Sequence, residues 1–229
     1  MSDKPTISLL IPTHDYRRPL GNSIKSFLDQ KSDGDELLIG IDAHGLTFEN
    51  IKTIERTILS FNAYPSVKYM ILDMGHNCWG HCVINNLIMN AKGEFLTFMD
   101  DDDILTPDAF NKIRDVITKG EYNRTGCPNC GVGIPCYKPP YIFRVFAPID
   151  NIHYWFKKDL LKGGVGGGCI VTPNLPERLG KFTCRYEGDS DFVEATVNKW
   201  GGKFEWRDEA IKNVRVAKDS KVILTIPPR

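Results

Sequence analysis

Over its first 120 residues the chain alternates short apolar runs with longer amphipathic ones, and that alternation restricts the fold more than any other feature. TISLLIP (6–12), DELLIGID (35–42), VKYMILDM (67–74) and EFLTFM (94–99) are short and largely apolar, and they read as buried strands. Between them the period changes. Leu20, Ile24, Phe27 and Leu28 recur at helical spacing behind Pro19, a residue suited to a first helical turn. Phe48, Ile51, Ile54 and Ile58 form a second apolar stripe, and Val83, Ile84, Leu87 and Ile88 a third. After the fourth strand, Thr106 as N-cap and Pro107 at the first helical position introduce Phe110, Ile113, Val116 and Ile117, a helix ending at Gly120. Strand followed by helix, repeated in this way, predicts an α/β fold with a mostly parallel sheet flanked by helices. Ligands of such sheets bind beyond the carboxyl ends of the strands.

At 229 residues and 41% hydrophobic, the chain can bury one substantial core, so a single domain with two halves, 1–120 and 121–229, is expected. The second half is richer in Gly, Pro and aromatics and reads as an irregular, substrate-shaping half. Acidic and basic residues balance at 29 each, so no global field recruits polyanions. No apolar run is long enough to span a bilayer, and MSDKPTISLLIPTHDY lacks the layout of a signal peptide, which leads to the expectation of a cytoplasmic protein. The seven cysteines are odd in number and clustered, a pattern that fits reduced thiols or a metal better than a disulfide framework.

Four consecutive aspartates, Asp100 to Asp103, emerge where the fourth strand ends. Adjacent carboxylates repel one another, so a cationic partner is expected. In an extended segment Asp100 and Asp102 would point to one side and Asp101 and Asp103 to the other. Two carboxylates on one side suit a hard divalent cation, Mn²⁺ or Mg²⁺, with open positions left for substrate phosphates. The bland reading is a solvated acidic turn that complements the dipole of the next helix.

Taken together and in order, ISLLIPTHDYRRPLGNSIKSFLDQ, LLIGIDAHG, NCWGHCVINNLIMNAKGEFLTFMDDDDILTPDAF and YEGDSDFVEATVNKWGG resemble the family 2 glycosyltransferases of GT-A fold, over residues 6–118 and again over 168–202. The resemblance implies a nucleotide-sugar donor, a UDP-sugar by expectation, held by Pro12, Thr13, Asp15, Asp42, Asn85, Asp100 and Asp101. His14 replaces the usual aromatic of the first loop, Ala43 follows the base-recognising Asp42, and Ile84 replaces the arginine ahead of Asn85. Asp100 and Asp102 match the metal-binding DXD pair. Asp189 matches the catalytic aspartate of the ED motif, with Gly188 in place of the glutamate, and Asp191 would support the helix that follows. The chemistry is coherent without the family. Breaking a bond from sugar to diphosphate accumulates negative charge on the leaving group, which a metal stabilises, while an opposing carboxylate takes the acceptor's proton. A single base and a single displacement imply inversion at the anomeric carbon.

Other features admit two readings each. CPNCGVGIPC places Cys127, Cys130 and Cys136 together as candidate ligands of a structural Zn²⁺, with Cys169, Cys184 or His153 as a fourth, or as loop thiols. Cys78 and Cys82 read as core thiols. GGVGGG (163–168) reads as a loop closing over the donor or as a flexible turn. His153, Tyr154 and Trp155 read as a stacking surface or as core. Lys212, Arg215, Lys218 and Lys221 form an acceptor-facing patch or a solvated face. The expected activity is metal-dependent, inverting sugar transfer to a saccharide or glycolipid acceptor. Alternatives are a hydroxylated base in DNA as acceptor, reached by flipping, a nucleotidyltransferase, or a non-catalytic sugar-nucleotide or zinc interaction module.

Overall fold

The computed structural model describes residues 5–74, 78–119, 139–147, 152–154 and 165–214. The strands are β1 (Ile7–Thr13), β2 (Glu36–Asp42), β3 (Val67–Leu72), β4 (Phe95–Phe98), β5 (Ile104–Leu105), β6 (Tyr141–Ala147), β7 (Ile152–Tyr154), β8 (Ile170–Pro173) and β9 (Glu205–Asn213). The helices are α1 (Leu20–Leu28), α2 (Phe48–Leu59), α3 (His81–Asn90), α4 (Ala109–Lys119) and α5 (Gly188–Lys199). All the strands join one sheet in the order β3-β2-β1-β4-β8-β6-β9-β5, with β7 beside β6. β3, β2, β1 and β4 run parallel, whereas β8 is antiparallel to both β4 and β6. The chain winds outward from β1 to β3 and then returns to place β4 on the other side of β1. That reversal opens a crevice at the carboxyl ends of β1 and β4, the usual ligand position in such sheets.

Alternation along the strands divides the core into two layers. Ile7, Leu9 and Ile11 of β1 and Leu37, Ile39 and Ile41 of β2 face α1, α2 and α4, whose Ile24, Phe27, Ile54 and Phe110 are buried against them. Leu10, Leu38, Leu96 and Phe98 point the other way, toward Val83 and Leu87 of α3 and Phe192 and Val197 of α5. Gly40 stands where α3 crosses β2. A β-carbon there would lie 2.2 Å from Val83 Cγ1, so the helix can approach only over a glycine.

In the second half, β6, β8 and β9 extend the sheet begun by the first half. One expectation changes: α4 starts at Ala109 rather than at Pro107, the Thr106 hydroxyl donates to Ala210 O at 2.7 Å, and Asp108 adopts φ 58° in the intervening turn. Thr106 therefore ties β5 to β9 instead of capping the helix.

Beneath the sheet, Arg114 of α4 donates to Asp35, which also accepts from Ile7 N at 2.9 Å and Ser32 N at 2.7 Å. Both side chains are buried, with 6% and 1% of their surface exposed. Asp35→Ala would strand the guanidinium, and the expected loss is about 3–5 kcal/mol, read as a lower urea midpoint with unchanged slope.

Candidate active site

A cleft of about 1020 Å³ opens over the carboxyl ends of β1, β2 and β4, with Thr13, Asp42, Asp100 and Asp189 among its walls. β1 delivers Pro12 and Thr13, and the turn after it presents His14 and Asp15. His14 Nδ1 lies 3.1 Å from Asp42 O, and Asp42 Oδ1 accepts from His44 N at 3.1 Å, so the ends of β1 and β2 are locked together at one side of the cleft. Asp15 pairs with Arg17 through two bonds of 2.8 Å, and the guanidinium draws its pKa down to about 2.

The acidic segment is a turn rather than an extension of β4, closed by Asp103 N donating to Asp100 O at 3.2 Å. The four carboxylates nevertheless separate into two environments. Asp101 is buried, accepting from Thr13 Oγ1 at 2.6 Å and Arg18 Nη1 at 3.2 Å. Burial is the stronger influence and pushes its pKa up to about 6. Asp103 is also buried, and Ser23 Oγ holds the backbone of the turn through Asp101 O and Asp103 O at 3.1 and 2.6 Å. Asp102 is more open and accepts from Arg18 Nη1 at 2.8 Å. Asp100 opens onto the cleft but lies deep within the protein mass. Poor solvation, followed by the charges of Asp102 and Asp189, raises its pKa.

Asp189 enters from the opposite wall, in the first turn of α5. Its Oδ1 accepts from Ser190 N at 2.8 Å and its Oδ2 from Gly167 N at 3.2 Å, so the carboxylate is oriented by two backbone donors at a helix N-terminus. The glycine-rich segment is shaped for this contact: a β-carbon at Gly166 would sit 2.6 Å from Asp189 Oδ2. Residues 165–168 are thus a packed cradle for the aspartate. Phe182 stacks on Phe192 of α5 at 4.2 Å and meets Phe98 edge-on at 5.1 Å, which fixes α5 against β4.

Sequence reasoning did not identify Arg18, His81, Trp79 or Tyr186, and it placed Lys212 on the surface. Arg18, at the entrance to α1, is the cation that neutralises Asp101 and Asp102; a basic residue ahead of α1 is its only trace in the sequence. Lys212 of β9 is fully buried, and its Nζ donates to Thr97 Oγ1 at 3.0 Å and to Gly168 O. Desolvation brings its pKa down to about 8, and Asp103 and Asp100 oppose that shift. Lys212 is therefore a buried counter-charge to the acidic turn, not part of a basic surface. His81 is buried at the start of α3, with Nδ1 2.8 Å from Thr183 O. Trp79 and Tyr186, 56% and 79% exposed, meet edge-on at 6.2 Å on the cleft rim.

Other expectations are revised by position. Asn85 does not line the cleft: its Nδ2 donates to Phe182 O at 2.8 Å and its Oδ1 accepts from Phe182 N at 3.1 Å, so it pins the segment leading to α5. Asp191 is held by Arg185 and Thr183, which lower its pKa to about 2. Cys78 is no free core thiol but is joined to Cys184, with Cys82 beside it. Cys169 is a buried thiol whose pKa burial pushes up to about 11. Cys127, Cys130, Cys136, Trp155, Arg215, Lys218, Lys221 and the side chains of His153 and Tyr154 lie outside the described residues.

Gly188 accounts for the departure from the acid pair expected before α5. A β-carbon there would lie 2.0 Å from Thr183 O and 2.5 Å from His81 Nδ1. Gly188→Glu, which would complete the pair, is expected to cost about 1–3 kcal/mol through overpacking, seen as a lower melting temperature, and to displace Asp189.

Residues 8–172 match the model of glycosyl transferase family 2. A protein of Escherichia coli strain K12, described as the colanic acid biosynthesis glycosyl transferase WcaA, is 29% identical over 164 residues, covering 64% of this chain and 54% of that protein. The chain thus spans about half the length of this curated relative. The crystal structure of S. aureus TarS superposes with a TM-score of 0.67 at 14% identity, over 92% of this chain and 37% of TarS. TarS 1–349 in complex with UDP gives a TM-score of 0.65 at 14% identity, over 91% of this chain and 60% of that one. The complex with UDP-GlcNAc gives 0.60 at 14% identity, over 91% and 58%.

Proposed function

The chain belongs to glycosyl transferase family 2, and we propose that it transfers a sugar from a nucleoside-diphosphate donor to the hydroxyl of a saccharide or glycolipid acceptor, with inversion at the anomeric carbon. One observation carries the reading: an acidic turn and an oriented carboxylate, Asp189, face each other across a cleft at the switch point of the sheet. TarS 1–349 has been crystallised with UDP and with UDP-GlcNAc, which supports a uridine donor here. The WcaA likeness, through its description in colanic acid biosynthesis, supports a glycan acceptor.

The acidic turn fits a hard divalent cation. Its donors are all oxygen, and Asp100 is crowded by Asp102 and Asp189, whose charges disfavour its ionisation unless a cation is near. Asp100 and Asp102 would hold Mn²⁺ or Mg²⁺, which when bound supplies Lewis-acid stabilisation of the departing diphosphate. The protein's own groups do the rest. Arg18 sets the turn and adds positive charge beside the diphosphate. Thr13, Asp15 and Asp42 form the wall on which the nucleoside lies.

Asp189 receives the proton of the attacking hydroxyl. Its backbone donors keep one carboxylate conformation, so the base is pre-oriented at small entropic cost. Trp79 and Tyr186 offer apolar ring faces at the rim, where the acceptor enters. The direct test supplies UDP-sugars, Mn²⁺ and a panel of saccharide acceptors and reads the product's anomeric configuration by NMR. A β-linked product from an α-linked donor is expected, and an α-linked product would overturn the single-displacement reading.

A further inference from the structure

Three sulfur atoms converge on the rim of the cleft, at a place the transfer chemistry does not use. Cys78 precedes Trp79 on the approach to α3, Cys82 lies in the first turn of α3, and Cys184 precedes Tyr186 on the approach to α5. Cys78 and Cys184 are joined as a disulfide across 106 residues of sequence, and Cys82 Sγ lies 3.0 Å from Cys78 Sγ. All three sulfurs lie within 4.8 Å of one another. A disulfide uses two sulfurs, so the third calls for a different explanation. Thiolates around a tetrahedral Zn²⁺ sit at about 2.3 Å from the metal and therefore about 3.8 Å from each other, a spacing these side chains reach by small rotations once the disulfide is open.

We propose that the reduced protein binds one Zn²⁺ through Cys78, Cys82 and Cys184. A dithiol reductant supplies two electrons and two protons to the Cys78–Cys184 bond and leaves as its own cyclic disulfide. Zn²⁺ then displaces the protons of three thiols. The cluster grades from buried Cys78 through half-buried Cys82 to exposed Cys184, so the fourth position is open to water. Soft, convergent thiolates select Zn²⁺ over the hard cation suited to Asp100 and Asp102. The ion clasps the segments bearing Trp79 and Tyr186, as the disulfide does in the oxidised chain. Metal and disulfide are thus two alternative latches for the same wall.

The test is Co²⁺ titration of the full chain, kept under a dithiol and stripped of metal, in the background Cys127→Ser/Cys130→Ser/Cys136→Ser so that the other cysteine cluster is silent. One equivalent of Co²⁺ with a thiolate charge-transfer band, displaced by Zn²⁺, is expected. Adding Cys82→Ser or Cys184→Ser should weaken binding on the order of 100-fold or more. Absence of the band in the background protein, or a band unchanged by Cys82→Ser, overturns the proposal. Should the triple variant fail to fold, alkylation of the unmodified chain decides. Zn²⁺ must protect Cys82 and Cys184 from iodoacetamide in peptides resolved by mass spectrometry, and equal labelling with and without Zn²⁺ is a refutation.

Discussion

Asp189→Asn is expected to lower kcat by about a thousandfold, within the 10²–10⁴ range attributed to a positioned general base and equivalent to about 4 kcal/mol of barrier. The substitution is nearly isosteric. The amide oxygen can still accept from Ser190 N, while the amide NH₂ group meets Gly167 N and loses a bond of 3.2 Å. Folding and donor affinity should therefore survive while proton acceptance is lost. Single-turnover kinetics beside donor binding by calorimetry separates the two quantities. A variant retaining a tenth or more of wild-type kcat would remove Asp189 from the role of base, and a variant unable to bind donor would assign it to the nucleotide side.

Asp100→Asn is expected to have a comparable effect by another route. Asp100 is the carboxylate of the turn most open to the cleft, whereas Asp101 is committed to Thr13 and Arg18. Neutralising it removes a ligand of the proposed divalent ion, and transfer should fall by about a thousandfold with the metal concentration needed for half-activity rising steeply. Because Asp100 is crowded by Asp102 and Asp189, the same substitution should not destabilise the metal-free protein. A thermal melt without metal checks that point, and an activity profile over Mn²⁺ concentration checks the first. An Asp100→Asn enzyme with full activity at low Mn²⁺ would separate the acidic turn from catalysis.

The parallel part of the fold is legible because β1, β2 and β4 are covered on both faces, so Ile7 to Ile11 and Leu37 to Ile41 form almost continuous apolar runs, interrupted by Ser8 and Gly40. Helices α1 to α3 are legible from their apolar stripes, although Phe48 of α2 ends 69% exposed. The second half is not legible in the same way. β6, β8 and β9 take their partners from distant segments, and nothing local in the sequence announces that pairing. The same reason hides Lys212, whose residue type suggests solvent while β9 carries it beneath Gly168 and Thr97. Composition misleads for the thiols, because Cys78 and Cys184 meet only once the segments leading into α3 and α5 come together in the fold. At the site, Asp189, Asp100 and Asp42 can be found from motif order. Asn85 and Gly188 cannot be interpreted without Phe182, Thr183 and His81, the neighbours that determine what each position can hold.

The most direct test of a metal-assisted sugar-nucleotide site is the melting temperature of the wild type and of Asp102→Ala against a panel of nucleoside diphosphates, with and without Mn²⁺. A ligand that binds only the native state raises the melting temperature, by about 2.7 kcal/mol of added stability at a hundredfold excess over Kd. The prediction is that UDP stabilises the wild type only when Mn²⁺ is present and that Asp102→Ala removes the effect. Stabilisation by no nucleotide under any metal, or an equal shift in Asp102→Ala, would contradict it.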